Sequence, residues 1–97
     1  MIRRIMIYND WTLIDYSPGI VEWIESYKQE DMLQVHFPLN YILDMGWYVN
    51  TYRIFIIHNQ NWSEPLYSYS TDNETELAFV LSDFKAKIVQ LIQSNTL

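Results

Sequence analysis

Two histidines are the residues of this sequence best suited to acid–base or metal chemistry. His36 and His58 each lie within an apolar segment of β-character. Zinc sites commonly use a pair such as H-x-x-x-H, and many serine hydrolases place the nucleophile in a G-x-S-x-G turn. Neither pattern is present, and the lack of cysteine removes thiolate ligands and thiol catalysis. We therefore predict no enzymatic activity, no metal and no cofactor.

The charge of the chain argues against a polyanionic ligand. Twelve acidic residues face six basic ones, which gives a formal net charge of −6. The basic clusters are limited to Arg3-Arg4 and to Lys85 with Lys87. A field of this sign repels nucleic acids and anionic membranes, and it accelerates encounter with a basic protein. The sequence predicts a protein partner, no nucleic acid and no membrane.

Aromatic residues are the second unusual feature. They make up 16% of the chain, with four tryptophans and eight tyrosines. Tyr and Trp are typical hot-spot residues of protein interfaces, and a core of this size should not hide all of them. Five of these rings lie beside polar residues or in loops: Trp11, Tyr48, Trp62, Tyr67 and Tyr69. We interpret the set as favouring a binding surface.

The elements that must position these residues belong to one predicted domain over residues 1–97. Residues 2–8 and 11–16 predict an N-terminal hairpin around Asn9-Asp10. Ser17-Pro18 begins a predicted helix over residues 18–29, where apolar side chains recur at helical spacing. A second helix is predicted over residues 74–93 from the apolar stripe that includes Leu77, Leu81, Phe84, Ile88 and Leu91.

Between the two predicted helices, the pattern indicates strands over residues 32–37, 41–49, 52–59 and 66–70. A turn at Asn50-Thr51 would oppose Trp47 to Ile54. One face of this hairpin would then carry Leu43, Met45, Trp47, Val49, Tyr52, Ile54 and Ile56. The expected fold is α+β, an antiparallel β-sheet with two helices packed mainly on that face.

The opposite face of the predicted hairpin mixes charged, aromatic and apolar residues. Its members are Ile42, Asp44, Gly46, Tyr48, Arg53, Phe55, Ile57 and Asn59. Such a mixture is typical of a protein-binding surface. The alternative is that another segment, such as the N-terminal hairpin, covers this face.

Two segments resemble a known group of proteins. They are LDMGWY at residues 43–48 and NWSEPL at residues 61–66, in a chain that ends in an amphipathic helix. Over residues 41–91 the chain resembles small bacterial immunity proteins encoded beside polymorphic and contact-dependent growth inhibition toxins. The resemblance implies a cytoplasmic protein that binds a cognate toxin domain, often a basic nuclease, and blocks its active site.

The acidic charge is consistent with such a role, because complementary fields raise the association rate. We expect four acids to pair with Lys and Arg of the toxin, and two aromatic residues to act as anchors. These are Asp44, Glu22, Glu25 and Glu64, with Tyr48 and Trp62. Two alternatives stay open: a non-catalytic interaction or oligomerisation module, as a monomer or a homodimer, and a small ligand-binding domain or enzyme around His36 or His58.

Overall fold

The computed structural model describes residues 10–95, in which one helix packs across a five-stranded antiparallel sheet. The strands are β1 (Ile20–Ile24), β2 (Leu33–Phe37), β3 (Tyr41–Tyr48), β4 (Thr51–His58) and β5 (Tyr67–Thr71). They lie side by side in chain order, so β1 and β5 form the two edges. The predicted α+β class and antiparallel sheet are confirmed.

The long helix, α1 (Leu77–Ser94), packs against β3 and β4. It follows a short 3-10 helix (Glu74–Glu76), which Asn73 caps by accepting a hydrogen bond from the Thr75 N–H. The predicted apolar stripe is confirmed, since Leu77, Leu81 and Ile88 are fully buried. The sheet residues in the same core cluster are Leu33, Val35, Leu43, Met45, Tyr52, Ile54 and Ile56. We call this side of the sheet the covered face and the other side, which α1 does not cover, the open face. Part of that open face is nevertheless buried, since Ile42, Asp44 and Ile57 are at most 9% exposed.

The predicted helix over residues 18–29 is wrong, because its first half forms β1 and α1 is the one α-helix among residues 10–95. Val21 pairs with Val35 and Trp23 pairs with Gln34, so Glu22 is an extra residue in a β-bulge. A bulge resets the alternation of side chains, and residues three apart then share a face. That spacing imitates a helical stripe, while β-branched side chains favour the strand.

The predicted N-terminal hairpin is only partly testable, because residues 2–8 lie outside the described residues. Its second half is wrong: Trp11–Leu13 is a 3-10 helix capped by the Asp10 side chain, and it contacts α1. Trp11 and Tyr16 are buried in the core, where the Tyr16 hydroxyl donates a hydrogen bond of 2.9 Å to the Trp11 carbonyl. Burial raises the pKa of Tyr16. This segment therefore contributes to the core beside α1.

The β3–β4 hairpin forms as predicted, but with a register shifted by two residues. Trp47 pairs with Tyr52, and the turn consists of Val49 and Asn50. The rings of Trp47 and Tyr52 pack edge to face, with centroids 4.7 Å apart. A shift of two preserves the side to which each strand residue points, so the predicted faces are confirmed except for Val49 and Asn59, which lie in turns.

This turn holds a strained residue. Val49 has a φ of 46° and Asn50 has a φ of 66°. A β-branched residue is disfavoured in the left-handed region, whereas Asn tolerates it. The Val49 side chain is 85% exposed, so burial of this side chain does little to offset the strain.

We predict that Val49→Asn raises the free energy of unfolding by about 0.5–1 kcal/mol, because it relieves left-handed strain at an exposed position. Urea denaturation followed by tryptophan fluorescence measures the change. Val21→Asn is the matched control, an exposed valine in a strand, and it should give no gain. A Val49→Asn variant no more stable than the wild type would contradict the turn geometry.

Candidate partner-binding surface

The centre of the open face is a row of four side chains, one from each of four adjacent strands. Trp23 pairs with Gln34, Gln34 with Asp44, and Asp44 with Phe55. Paired residues on one face of a sheet lie within contact range of each other. The row therefore places a carboxylate and an amide between two aromatic rings. We call Trp23, Gln34, Asp44, Phe55 and the nearby Tyr48 the Asp44 surface.

Hydrogen bonds fix the polar part of this surface. The Gln34 side-chain amide donates to the Asp44 carboxylate at 3.1 Å, and the His36 ring nitrogen lies 2.7 Å from the Gln34 oxygen. A carboxylate only accepts, so it orients the Gln34 amide with its oxygen towards His36. His36 must then be the donor in the second bond. The chain His36–Gln34–Asp44 thus holds the carboxylate in one orientation.

Asp44 is buried although it lies on the open face. Only 8% of its surface is exposed, and it is the charged residue among the buried side chains of residues 10–95. Burial raises its pKa, Gln34 opposes that rise by its hydrogen bond, and the nearby Asp31 adds to it. Within the described residues the single ion pair is Lys87–Asp83, so Asp44 has no counter-charge there. Asp44 is therefore a desolvated carboxyl group that has no ion-pair partner among residues 10–95.

Further acids border the Asp44 surface because the chain loops over Gly46. The Trp47 N–H donates to the Gln29 carbonyl and the Met32 N–H to the Met45 carbonyl, which leaves residues 30 and 31 looped out. A Cβ at Gly46 would overlap the Glu30 carbonyl, so glycine permits this close approach.

Tyr48 ties the looped-out residues to the sheet. Its hydroxyl donates a hydrogen bond of 2.9 Å to the Glu30 carbonyl. Partial burial raises the pKa of Tyr48, and the charges of Asp44, Asp31 and Glu30 raise it further. The Arg53 guanidinium, 6.0 Å from the Tyr48 ring, opposes that rise. The local charge therefore stays negative around Tyr48.

The structure brings only part of the predicted set together. Asp44 and Tyr48 share the open face of β3. Glu22 and Glu25 are exposed at β1, and Trp62 and Glu64 are exposed in the loop between β4 and β5. These two pairs lie at opposite edges of the sheet. One compact partner surface can include Asp44, Tyr48 and the β1 acids, while Trp62 and Glu64 form a separate patch.

Sequence reasoning missed Trp23 and Gln34 as members of this surface. The sequence predicts Trp23 in a helix. In the structure the β1 bulge places Trp23 opposite Gln34, and the sequence pattern does not reveal that bulge. Gln34 was within a correctly predicted strand, and its alternation with Leu33 and Val35 already indicated the open face. The signal for Gln34 was present, whereas the signal for Trp23 was ambiguous.

The two histidines lie in different settings. His58 stacks on Tyr41 with ring centroids 4.0 Å apart, and its ring nitrogen lies 3.1 Å from the Leu39 carbonyl oxygen. It lines a shallow depression with Leu39, Asn40, Tyr41 and Asn95, among which there is no carboxylate. His36 is exposed on the open face.

Residues 10–95 contain no group of three or more His, Asp or Glu side chains placed to hold a metal ion. They also contain no helix with the length and apolar character needed to cross a bilayer. The burial of Asp44 and its hydrogen bond to Gln34 make the Asp44 surface the candidate site that the geometry supports best.

We predict that Asp44→Asn stabilises the free protein at neutral pH. Because the folded pKa of Asp44 is raised, its ionisation opposes folding, and stability falls as pH rises through its ordinary range and above. The variant cannot ionise at this position. Its higher free energy of unfolding, relative to the wild type, should therefore be present at pH 7 and vanish below the ordinary pKa of aspartate. Urea denaturation at several pH values measures the difference. An equal advantage at pH 3 and pH 7 would contradict a desolvated charge.

Comparison with models of known protein families, with curated proteins and with solved structures gives no match for this chain.

Proposed function

We propose that this chain is an immunity protein that binds a cognate bacterial toxin in the cytoplasm and blocks the active site of a basic toxin domain. The observation that carries the proposal is the state of Asp44, a desolvated carboxylate on the sheet face that α1 does not cover, with no ion-pair partner among residues 10–95. A buried charge without a partner destabilises a protein. A cation supplied by another molecule would remove that cost when the complex forms.

The surroundings of Asp44 suit a Lys or Arg side chain. Trp23 and Phe55 stand on the two sides of the Gln34–Asp44 pair, and Trp23 is 37% exposed. Aromatic faces attract a cation that approaches within about 6 Å of the ring centre. In the complex, these rings would also exclude water from the new ion pair, as in the centre of an interface. This arrangement favours an arginine or lysine of the partner as the central contact.

The charges around the Asp44 surface favour a basic protein over a second copy of this chain. Glu30 and Asp31 are exposed beside it, and the whole chain has a net charge of −6. A symmetric dimer through this face would bring its acids towards their own copies, which is repulsive. A basic nuclease domain, which must attract nucleic acid to its active site, has the complementary field. The resemblance of residues 41–91 to immunity proteins agrees with this class of partner.

A growth assay tests the proposed function. The protein encoded next to this chain is expressed in bacteria alone, with the wild type, or with Asp44→Asn. We expect growth arrest by the neighbour alone, rescue by the wild type, and weaker rescue by the variant. Loss of one partner from a buried charge pair costs about 2–5 kcal/mol, which corresponds to a loss in affinity of roughly 30-fold or more.

Asp72→Asn is the matched control, since it removes the same charge from an exposed position after β5. It should rescue growth as the wild type does. Calorimetry with the isolated toxin domain, in low and high salt, then measures the affinities directly. A harmless neighbour, or equal affinity for Asp44→Asn and the wild type, would refute the proposal.

A further inference from the structure

The edge strand β1 exposes an apolar sequence. All five of its residues are exposed, and four of them are the large apolar side chains Ile20, Val21, Trp23 and Ile24. Ile20 alone is 71% exposed. An exposed apolar edge strand is a template for pairing with another chain, which proteins normally suppress. A strand of this composition at an edge therefore indicates an interaction.

The outer backbone edge of β1 is unpaired in the described sheet. β1 pairs with β2 on one side, and no strand among residues 10–95 lies on the other. The backbone bonds next to the strand, from the Gly19 N–H to Tyr16 and from the Glu25 N–H to Met32, flank it without covering its edge. Unpaired N–H and C=O groups along this edge can accept an added strand.

The charges at this edge select the kind of strand that can be added. Glu22 projects from the bulge, and Glu25 follows the strand directly. Both are exposed, and neither forms an ion pair within residues 10–95. The apolar side chains attract apolar ones, and the carboxylates attract Lys or Arg. An extended segment that alternates apolar and basic residues matches both requirements.

The same charges oppose self-association at this edge. A second copy of β1, paired antiparallel over all five residues, would place Glu22 opposite its own copy. Like charges directly opposite each other destabilise a strand pair. The bulge at Glu22 also bends the edge and hinders a flat pairing of two identical strands. The edge is therefore open to a basic strand and protected against its own copy.

We propose that β1 takes up an extended basic segment of the partner protein as a sixth strand of the sheet. This inference deepens the proposed function, because it assigns part of the partner's contact to main-chain pairing. Trp23 belongs both to β1 and to the Asp44 surface. A strand added at β1 would thus be continuous with the surface where a partner cation meets Asp44.

The test uses a defined probe and the full-length protein labelled with 15N. The probe is a seven-residue peptide of alternating lysine and valine, acetylated and amidated at its ends. We expect saturable amide shifts at Ile20–Ile24 and slower hydrogen exchange there. A peptide of alternating glutamate and valine should give no shifts. Glu22→Lys should weaken binding of the basic peptide about five- to tenfold, since it replaces an attraction with a repulsion.

Asp72→Lys is the control for net charge, because it makes the same charge change away from β1. Its affinity for the basic peptide should stay within about twofold of the wild-type affinity. If Glu22→Lys fails to fold, Glu22→Gln replaces it and should weaken binding about two- to threefold. Shifts centred on β5, equal binding of the acidic peptide, or no shifts at millimolar peptide would each overturn the proposal. Concentration-dependent shifts of β1 without peptide would also overturn it, because they would identify a second copy as the occupant.

The two proposals can fail separately. Asp44→Asn leaves β1 intact, so this variant should keep the peptide shifts even though it rescues growth poorly. If the neighbouring protein proves harmless while the basic peptide binds β1, the edge site stands and the toxin assignment falls. If the wild type rescues growth and no peptide binds, strand addition is refuted and the Asp44 surface stands.

Discussion

The burial of one carboxylate governs the surface chemistry of this protein. Asp44 lies in the central strand β3, on the face that α1 does not cover, and only 8% of its surface is exposed to water. Gln34 supplies one hydrogen bond and no charge. A fold selected for stability alone would place a neutral residue there, since an uncompensated buried charge is unfavourable. The position makes physical sense if a cation arrives from outside.

The surrounding elements add negative charge near Asp44. Gly46 lets the chain pass close over β3, and the looped-out Glu30 and Asp31 then lie near Tyr48 and Asp44. Asp31 raises the cost of ionising Asp44 in the free protein, and both acids would increase the attraction for an incoming cation. In the proposed function, the cost of ionising Asp44 in the free state and the attraction for a basic partner thus have the same cause. The exposed edge strand β1 extends this surface on one side.

Much of the fold could be predicted from the sequence, because most elements keep a simple period. Alternation in β2, β3 and β4 identified the two faces of the sheet, and the stripe in α1 identified the core-facing side of the helix. β1 was missed because its bulge at Glu22 imitates helical spacing. The turn was displaced because packing of Trp47 on Tyr52 outweighs the strain at Val49. Asp44 and Tyr48 could be recognised as surface candidates, but the burial of Asp44 depends on contacts between distant segments that no local pattern encodes.

We propose that Asp44, which has no ion-pair partner among residues 10–95, gains one when a cation of the partner meets it. The most direct measurement is the NMR titration of the Asp44 carboxyl carbon, first in the free protein and then in the complex with a catalytically inactive toxin domain. Our account predicts a pKa above the ordinary aspartate value in the free protein and a marked fall of that pKa on binding. An ordinary pKa in the free protein, or the same raised pKa in both states, would contradict it.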